Sequence, residues 1–149
     1  MKMSENLRRL PTPLAALAWL TGVRRVADNN GVTVRRFGRF VRSLGPGWHW
    51  TLPGVDQLGE PVSLIGHHVD VPADGTHAEL YYQILDPAQA GPALERADHV
   101  VQEQARDALA ALPAKADGNR PLSEQLKSEL NRRIGSLGLR VIRCSLHAA

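Results

Sequence analysis

The sequence predicts an α+β fold, strands first, then helix, helix and a closing strand, on the strength of three observations. Through residue 87, short apolar runs alternate between turn-forming residues. From residue 88, apolar residues recur at spacings of three and four in two separate stretches. After Gly138 the run Leu139 to Leu146 returns to strand character. Together these imply a mixed β-sheet with two packed helices. At 149 residues and 43% hydrophobic, the chain has the size of one domain and can bury a core.

The first element is the apolar run Leu14 to Leu20, with Pro11 and Pro13 before it and Arg24-Arg25 after it. It is too short to span a bilayer, which takes roughly 20 apolar residues. Arg24-Arg25 also stands where a signal peptide would carry small cleavage-site residues. Two readings remain: an interfacial helix with Leu14, Leu17, Trp19 and Leu20 in contact with lipid, or a short amphipathic helix docked on the domain or a partner. Residues 1–22 are accordingly set apart as a membrane-associating segment from a domain over 23–147, mostly strands to 87 and helix-loop-helix-strand beyond.

Val23 to Val26 and Gly31 to Phe37 flank Asp28-Asn-Asn-Gly31, a strong turn signal between β-branched residues, which predicts a hairpin. Gly38 to Arg42 continues or curves the second strand, and Gly45-Pro46-Gly47 turns the chain sharply. Trp48-His49-Trp50 then places both indoles on one face of a strand. Pro61 to Pro72 reads as one strand bent or bulged at Gly66-His67-His68. Asp74-Gly75 turns into a strand from Ala78 to Leu85, which Asp86-Pro87 stops.

Leu94, Ala97, Val101, Ala105, Ala108 and Leu112 predict a helix over 88–112, ended by Pro113. A polar loop follows. Leu122, Leu126, Leu130, Ile134 and Leu137 form a second stripe, with Pro121 or Ser123 near its start and Gly138 as its C-terminal cap.

Charge is divided unevenly. Nine basic residues face two acidic ones before residue 44, so that third carries +7 and the remainder −4 of the net +3. All three tryptophans lie in the same third. Basic and aromatic residues together suit an anionic partner, either lipid headgroups or nucleic acid, while a solvated basic face is the plain alternative. For a single indole, an ordinary sheet core is an equal alternative to lipid contact. Arg35, Arg36, Arg39 and Arg42, interleaved with Phe37 and Phe40, could track phosphates, but no nucleic-acid motif accompanies them. A membrane surface also uses Leu14 to Leu20, so nucleic acid is the lesser reading.

No catalytic constellation is found: there is no G-x-S-x-G element, no phosphate loop, and Cys144 with His147 is only a loose pair on a terminal strand. The lone Cys144 cannot form an internal disulfide and fits a reduced, cytosol-facing protein. Six histidines show no ligand spacing, and His67-His68 are adjacent and so point to opposite faces of a strand. Neither a metal nor a cofactor is expected.

The segment Gly31-Val-Thr-Val-Arg-Arg-Phe-Gly-Arg-Phe-Val-Arg-Ser-Leu-Gly-Pro-Gly-Trp-His-Trp-Thr-Leu-Pro53 resembles the start of band 7 (SPFH) domains: a valine-rich strand, F-G-R/K, a basic bend, G-P-G, an aromatic pair and a proline. The family includes stomatin, prohibitin, flotillin and the bacterial HflK/HflC proteins, and the HflK branch is the most similar. The resemblance continues through Val69-Asp-Val-Pro72, Tyr82-Gln-Ile-Leu-Asp-Pro87, the helix to Leu112 and the stretch Leu122 to Leu146. It implies a non-enzymatic scaffold that oligomerises at membranes, organises lipid microdomains or restrains a membrane protease. It further implies that Phe37, Phe40, Trp48 and Trp50 lie nearest the bilayer. Three features depart from the family pattern. The apolar anchor is limited to Leu14 to Leu20, residues 73–79 leave little room for an additional strand, and no coiled-coil tract is found, so cage assembly is not expected.

The combined expectation is peripheral association with the cytoplasmic face of a membrane. Leu14, Leu17, Trp19, Leu20, Phe37, Phe40, Trp48 and Trp50 would contact the membrane, and Arg24, Arg25, Arg35, Arg36, Arg39 and Arg42 would hold anionic lipid. The expected partners are a band 7 protein or a membrane protease, in a homo- or hetero-oligomer. The alternatives are a soluble nucleic-acid-binding module and a protein-interaction domain only.

Overall fold

A computed structural model describes residues 13, 17, 20–112 and 120–148. The first strands are β1 (Val23–Val26), β2 (Asn30–Arg36), β3 (Arg39–Leu44), β4 (Gly47–Trp50), β5 (Asp56–Leu58) and β6 (Val62–Ser63). Then come β7 (His67–Ala73) and β8 (Thr76–Ile84), followed by a short helix α1 (Pro87–Ala90) and a 3-10 segment Gly91–Arg96. Helices α2 (Ala97–Ala111) and α3 (Leu122–Ile134), a 3-10 turn Gly135–Leu137 and β9 (Leu139–Ala148) complete the order. The class is α+β with two long helices, as expected. Every pairing among the described strands is antiparallel, in three small sheets: β1-β4, β3-β2-β5 with β6 also on β2, and β7-β8-β9.

The predicted hairpin between Val23–Val26 and Gly31–Phe37 is not formed. The turn itself exists, with Asn29 in left-handed backbone at φ 58 and Asn30 N–H donating to the Ala27 carbonyl at 3.2 Å. Beyond it the strands diverge: β1 takes β4 as partner and β2 takes β3, β5 and β6. The true hairpin is one element later, where Gly38 turns the chain instead of continuing the strand. Phe37 and Gly38 both have positive φ, +52 and +75, as a type I′ turn requires. Likewise the single bent strand expected over 61–72 is two strands, β6 and β7, separated by Leu64 to Gly66.

The main core lies between the β7-β8-β9 sheet and the helices. Val69, Val71, Ala78, Leu80 and Tyr82 alternate onto the buried face and meet Leu94, Val101, Ala105, Leu126, Leu130 and Ile134. The apolar stripes of α2 and α3 were legible for this reason. The start of the first helix was not: Gly91, at φ +56, closes α1, and Pro92 lacks the N–H an α-helix would use. The N-terminal end of that stretch is therefore a four-residue helix and a 3-10 segment. At the other end Leu112 is extended, as the residue before Pro113 favours, and Gly138 ends the second stripe at φ +67.

A smaller core of Val26, Val32, Val34 and Leu44 fills the N-terminal sheets. Polar contacts tie it to the main core. Buried Thr33 donates to Glu95, whose other carboxylate oxygen holds Arg35 at 2.6 Å, and buried Ser43 donates to the Gly91 carbonyl at 2.7 Å. Those hydrogen bonds keep the Glu95 carboxyl below its ordinary range, the Thr33 hydroxyl contributing most.

Candidate functional site

β1 and β4 present the two tryptophans outward. In the register Val23↔Trp50 and Arg25↔Trp48, the Trp48 and Trp50 side chains share one face and are 69% and 59% exposed. They are not sheet core. The Arg25 guanidinium lies over the Trp48 ring at 5.8 Å, and the Trp50 indole N–H donates to the Thr21 carbonyl at 2.9 Å. The polar atom of Trp50 is thus satisfied internally, and its apolar edge is what faces out.

Gly22 makes this junction. Its carbonyl accepts from the Thr51 N–H at 2.7 Å and the Thr51 hydroxyl at 2.9 Å. The residues before it, Leu17, Leu20 and Thr21, are helical, with Leu17 and Leu20 exposed. Leu14 and Trp19 lie outside the described residues. No helix among the described residues is long and apolar enough to cross a membrane.

The β2–β3 hairpin carries Phe37 at its tip, 84% exposed. Arg36, the residue before it, forms a two-pronged pair with Asp56 at 2.8 and 3.3 Å, and Asp56 also accepts from the Leu52 N–H at 2.9 Å. Held first by the Arg36 guanidinium and next by that N–H, the Asp56 carboxyl stays below its usual range, and the same bond raises Arg36. Because Leu52 adjoins Thr51, and Thr51 is bonded to Gly22, these contacts link the base of the Phe37 turn to the segment that follows Trp50 and to the Gly22 junction.

The arginines divide. Arg35 is paired with Glu95, Arg36 with Asp56, and Arg42 donates to the Trp50 carbonyl, so three of the six expected lipid-binding cations hold the fold. Arg25 stacks on Trp48, and Arg24 is half-buried on β1. Arg39 is exposed beside the hairpin turn and makes no ion pair among the described residues. Phe40 is only 37% exposed and leans toward Gly91, so it belongs to the margin of the surface.

Sequence reading missed Val41. The register steps from Val34↔Arg42 to Arg35↔Phe40, which leaves Val41 as the extra residue of a β-bulge and turns it outward. The available signal was Arg39-Phe-Val-Arg42 itself, where two consecutive apolar residues break the alternation. Cys144 is half-buried on β9, and burial together with the nearby Glu124 charge pushes its thiol up to about 11, away from nucleophilic use.

No family model matches the chain. It is 24% identical over 139 residues to an uncharacterised protein of Schizosaccharomyces pombe, covering 83% of this chain and 39% of that protein. The chain thus spans well under half the length of that relative.

Proposed function

We propose that this chain is a non-enzymatic, membrane-associated scaffold domain of band 7 type, resting on an anionic membrane surface through the end that carries Phe37, Trp48 and Trp50. The observation that carries the reading is Phe37. A bulky residue in left-handed backbone costs about 1 kcal/mol, and Asn or Gly is the usual occupant of such a turn. Exposed at 84%, Phe37 gains little packing in return within the chain. A ring kept at a strained, exposed tip is explained by an external apolar phase.

Supporting it are the two outward indoles, exposed Leu17, Leu20 and Val41, and the cations Arg25 and Arg39 among them. Removing about 100 Å² of each of three rings from water contributes about 2.5 kcal/mol apiece, and each nearby arginine adds about 1 kcal/mol against anionic lipid. The aromatic contribution is the larger, so binding should persist on neutral vesicles and strengthen on anionic ones. On this reading the partners are another band 7 protein or a membrane protease, engaged from the cytoplasmic face. A nucleic-acid role is disfavoured because Arg35, Arg36 and Arg42 are engaged within the chain.

The test is co-sedimentation with neutral and anionic liposomes. Trp48→Ala/Trp50→Ala should lower binding to both, by about 30-fold for each 2 kcal/mol lost. Failure of the unaltered protein to bind either vesicle would overturn the proposal.

A further inference from the structure

The outer face of the β7-β8-β9 sheet carries a cluster that the membrane reading does not use. In the register of the three strands, Asp70 stands directly opposite Glu79. Two residues along, Pro72, His77 and His147 are aligned across the sheet, and two residues the other way His68, Tyr81 and Arg143 are aligned. The period-two alternation that sends Val69, Val71 and Leu80 into the core sends all of these to the open side. Three histidines and two carboxylates, separated by as many as 79 positions in sequence between His68 and His147, are thereby collected on one surface. The pairing of strands creates the constellation, so no local ligand spacing announced it.

We propose that this face is a binding site for a divalent transition-metal ion of the zinc class, with His68, Asp70 and Glu79 as ligands and His77 and His147 alongside. Geometry carries the assignment. One donor atom from each of His68, Asp70 and Glu79 lies within 4.8 Å of the other two. His68 Nε2 is 3.2 Å and His77 Nε2 3.7 Å from the same Asp70 Oδ1, while His147 Nε2 is 3.8 Å from Glu79 Oε2. Nitrogen and oxygen ligands about 2.1 Å from a tetrahedral zinc stand about 3.4 Å apart, so small side-chain rotations close the set around one ion.

A second observation points to a cation. Like charges directly opposite one another in an antiparallel pair are destabilising. Among the described residues neither Asp70 nor Glu79 is paired with a lysine or arginine; their neighbours are imidazoles. The nearest cation on this face, Arg143, is engaged over the Tyr81 ring at 6.0 Å. Tyr81 in turn stacks against His68, with ring centroids 4.6 Å apart, which fixes the ring whose Nε2 faces Asp70. Neutral imidazole combined with carboxylate selects zinc, cobalt or nickel over calcium and magnesium, which favour oxygen alone. The open side leaves coordination positions for water or for a further ligand.

The test uses the untagged full chain and the metals themselves. Cobalt(II) titration followed by visible absorption, with zinc competition, should show one equivalent bound, and zinc should raise the melting temperature. Asp70→Asn/Glu79→Gln should weaken binding at least about tenfold, as should His68→Ala, while His99→Ala, on α2 and outside the cluster, should leave it unchanged. Circular dichroism establishes that each variant is folded. Zinc affinity that is the same in the double variant, absence of binding, or equal displacement by magnesium would each overturn the proposal.

Discussion

A β-carbon at Gly22 would stand 2.0 Å from the Thr51 carbonyl oxygen, on a backbone with φ +78. Steric overlap and left-handed strain act together there, so Gly22→Ala should lower unfolding free energy by at least about 2 kcal/mol. Urea denaturation measures it, and an unchanged midpoint would mean that the Gly22–Thr51 junction is not formed as described. Asn131 shows the same dependence on one residue by hydrogen bonding. Its side-chain amide donates to the Val141 carbonyl at 3.2 Å and accepts from the Val141 N–H at 2.8 Å. β9 is the last strand of its sheet, and this amide satisfies the backbone groups at that edge. Asn131→Ala leaves both without partners and should cost about 2 kcal/mol, with Asn131→Leu no better, since shape is not what is lost. Neither role was readable beforehand, because both depend on which backbone segment lies opposite.

Among the elements, α3 carries the clearest electrostatic signature. Glu129 accepts from Arg132 and Arg133, three and four residues on, and those bonds hold its carboxyl down to about 2. A carboxylate depressed in the folded state contributes stability that is complete above its ordinary value of about 4.3 and lost as pH falls toward its folded value. Carbon-13 titration of the Glu129 side chain should therefore show a midpoint well below 4, and Glu129→Gln should flatten the stability curve between about pH 4 and 2. A midpoint near the ordinary value would mean that the two arginines do not hold it in solution. The helical stripes themselves were legible because Leu126, Leu130 and Ile134 repeat locally. Strand pairing was not, since the partner of Val23–Val26 is 20 or more residues away and a turn at Asn29 suggested a nearer one.

Over the whole molecule, two cores are joined through Thr33, Arg35, Ser43 and Glu95, and the proposed activities fall on separate surfaces. The surface proposed to meet a membrane was partly legible: alternation at Trp48 and Trp50 gave the indoles a shared exposed face, and the uneven charge marked the same third of the chain as basic. It could not reveal that Arg35, Arg36 and Arg42 serve the fold, because Glu95, Asp56 and the Trp50 carbonyl come from other elements. The histidine cluster was illegible for the same reason. Phe37 joins fold and proposed function most directly, because the two make opposite demands on it. Phe37→Asn places in the type I′ turn a residue that favours it and removes an exposed ring. The most direct measurement pairs thermal denaturation of this variant with liposome co-sedimentation. Membrane contact through this tip predicts an unchanged or higher melting temperature together with binding reduced about 30-fold, for about 2 kcal/mol of lost apolar contact. Unchanged vesicle binding, or a lower melting temperature showing that Phe37 serves the fold, would contradict it.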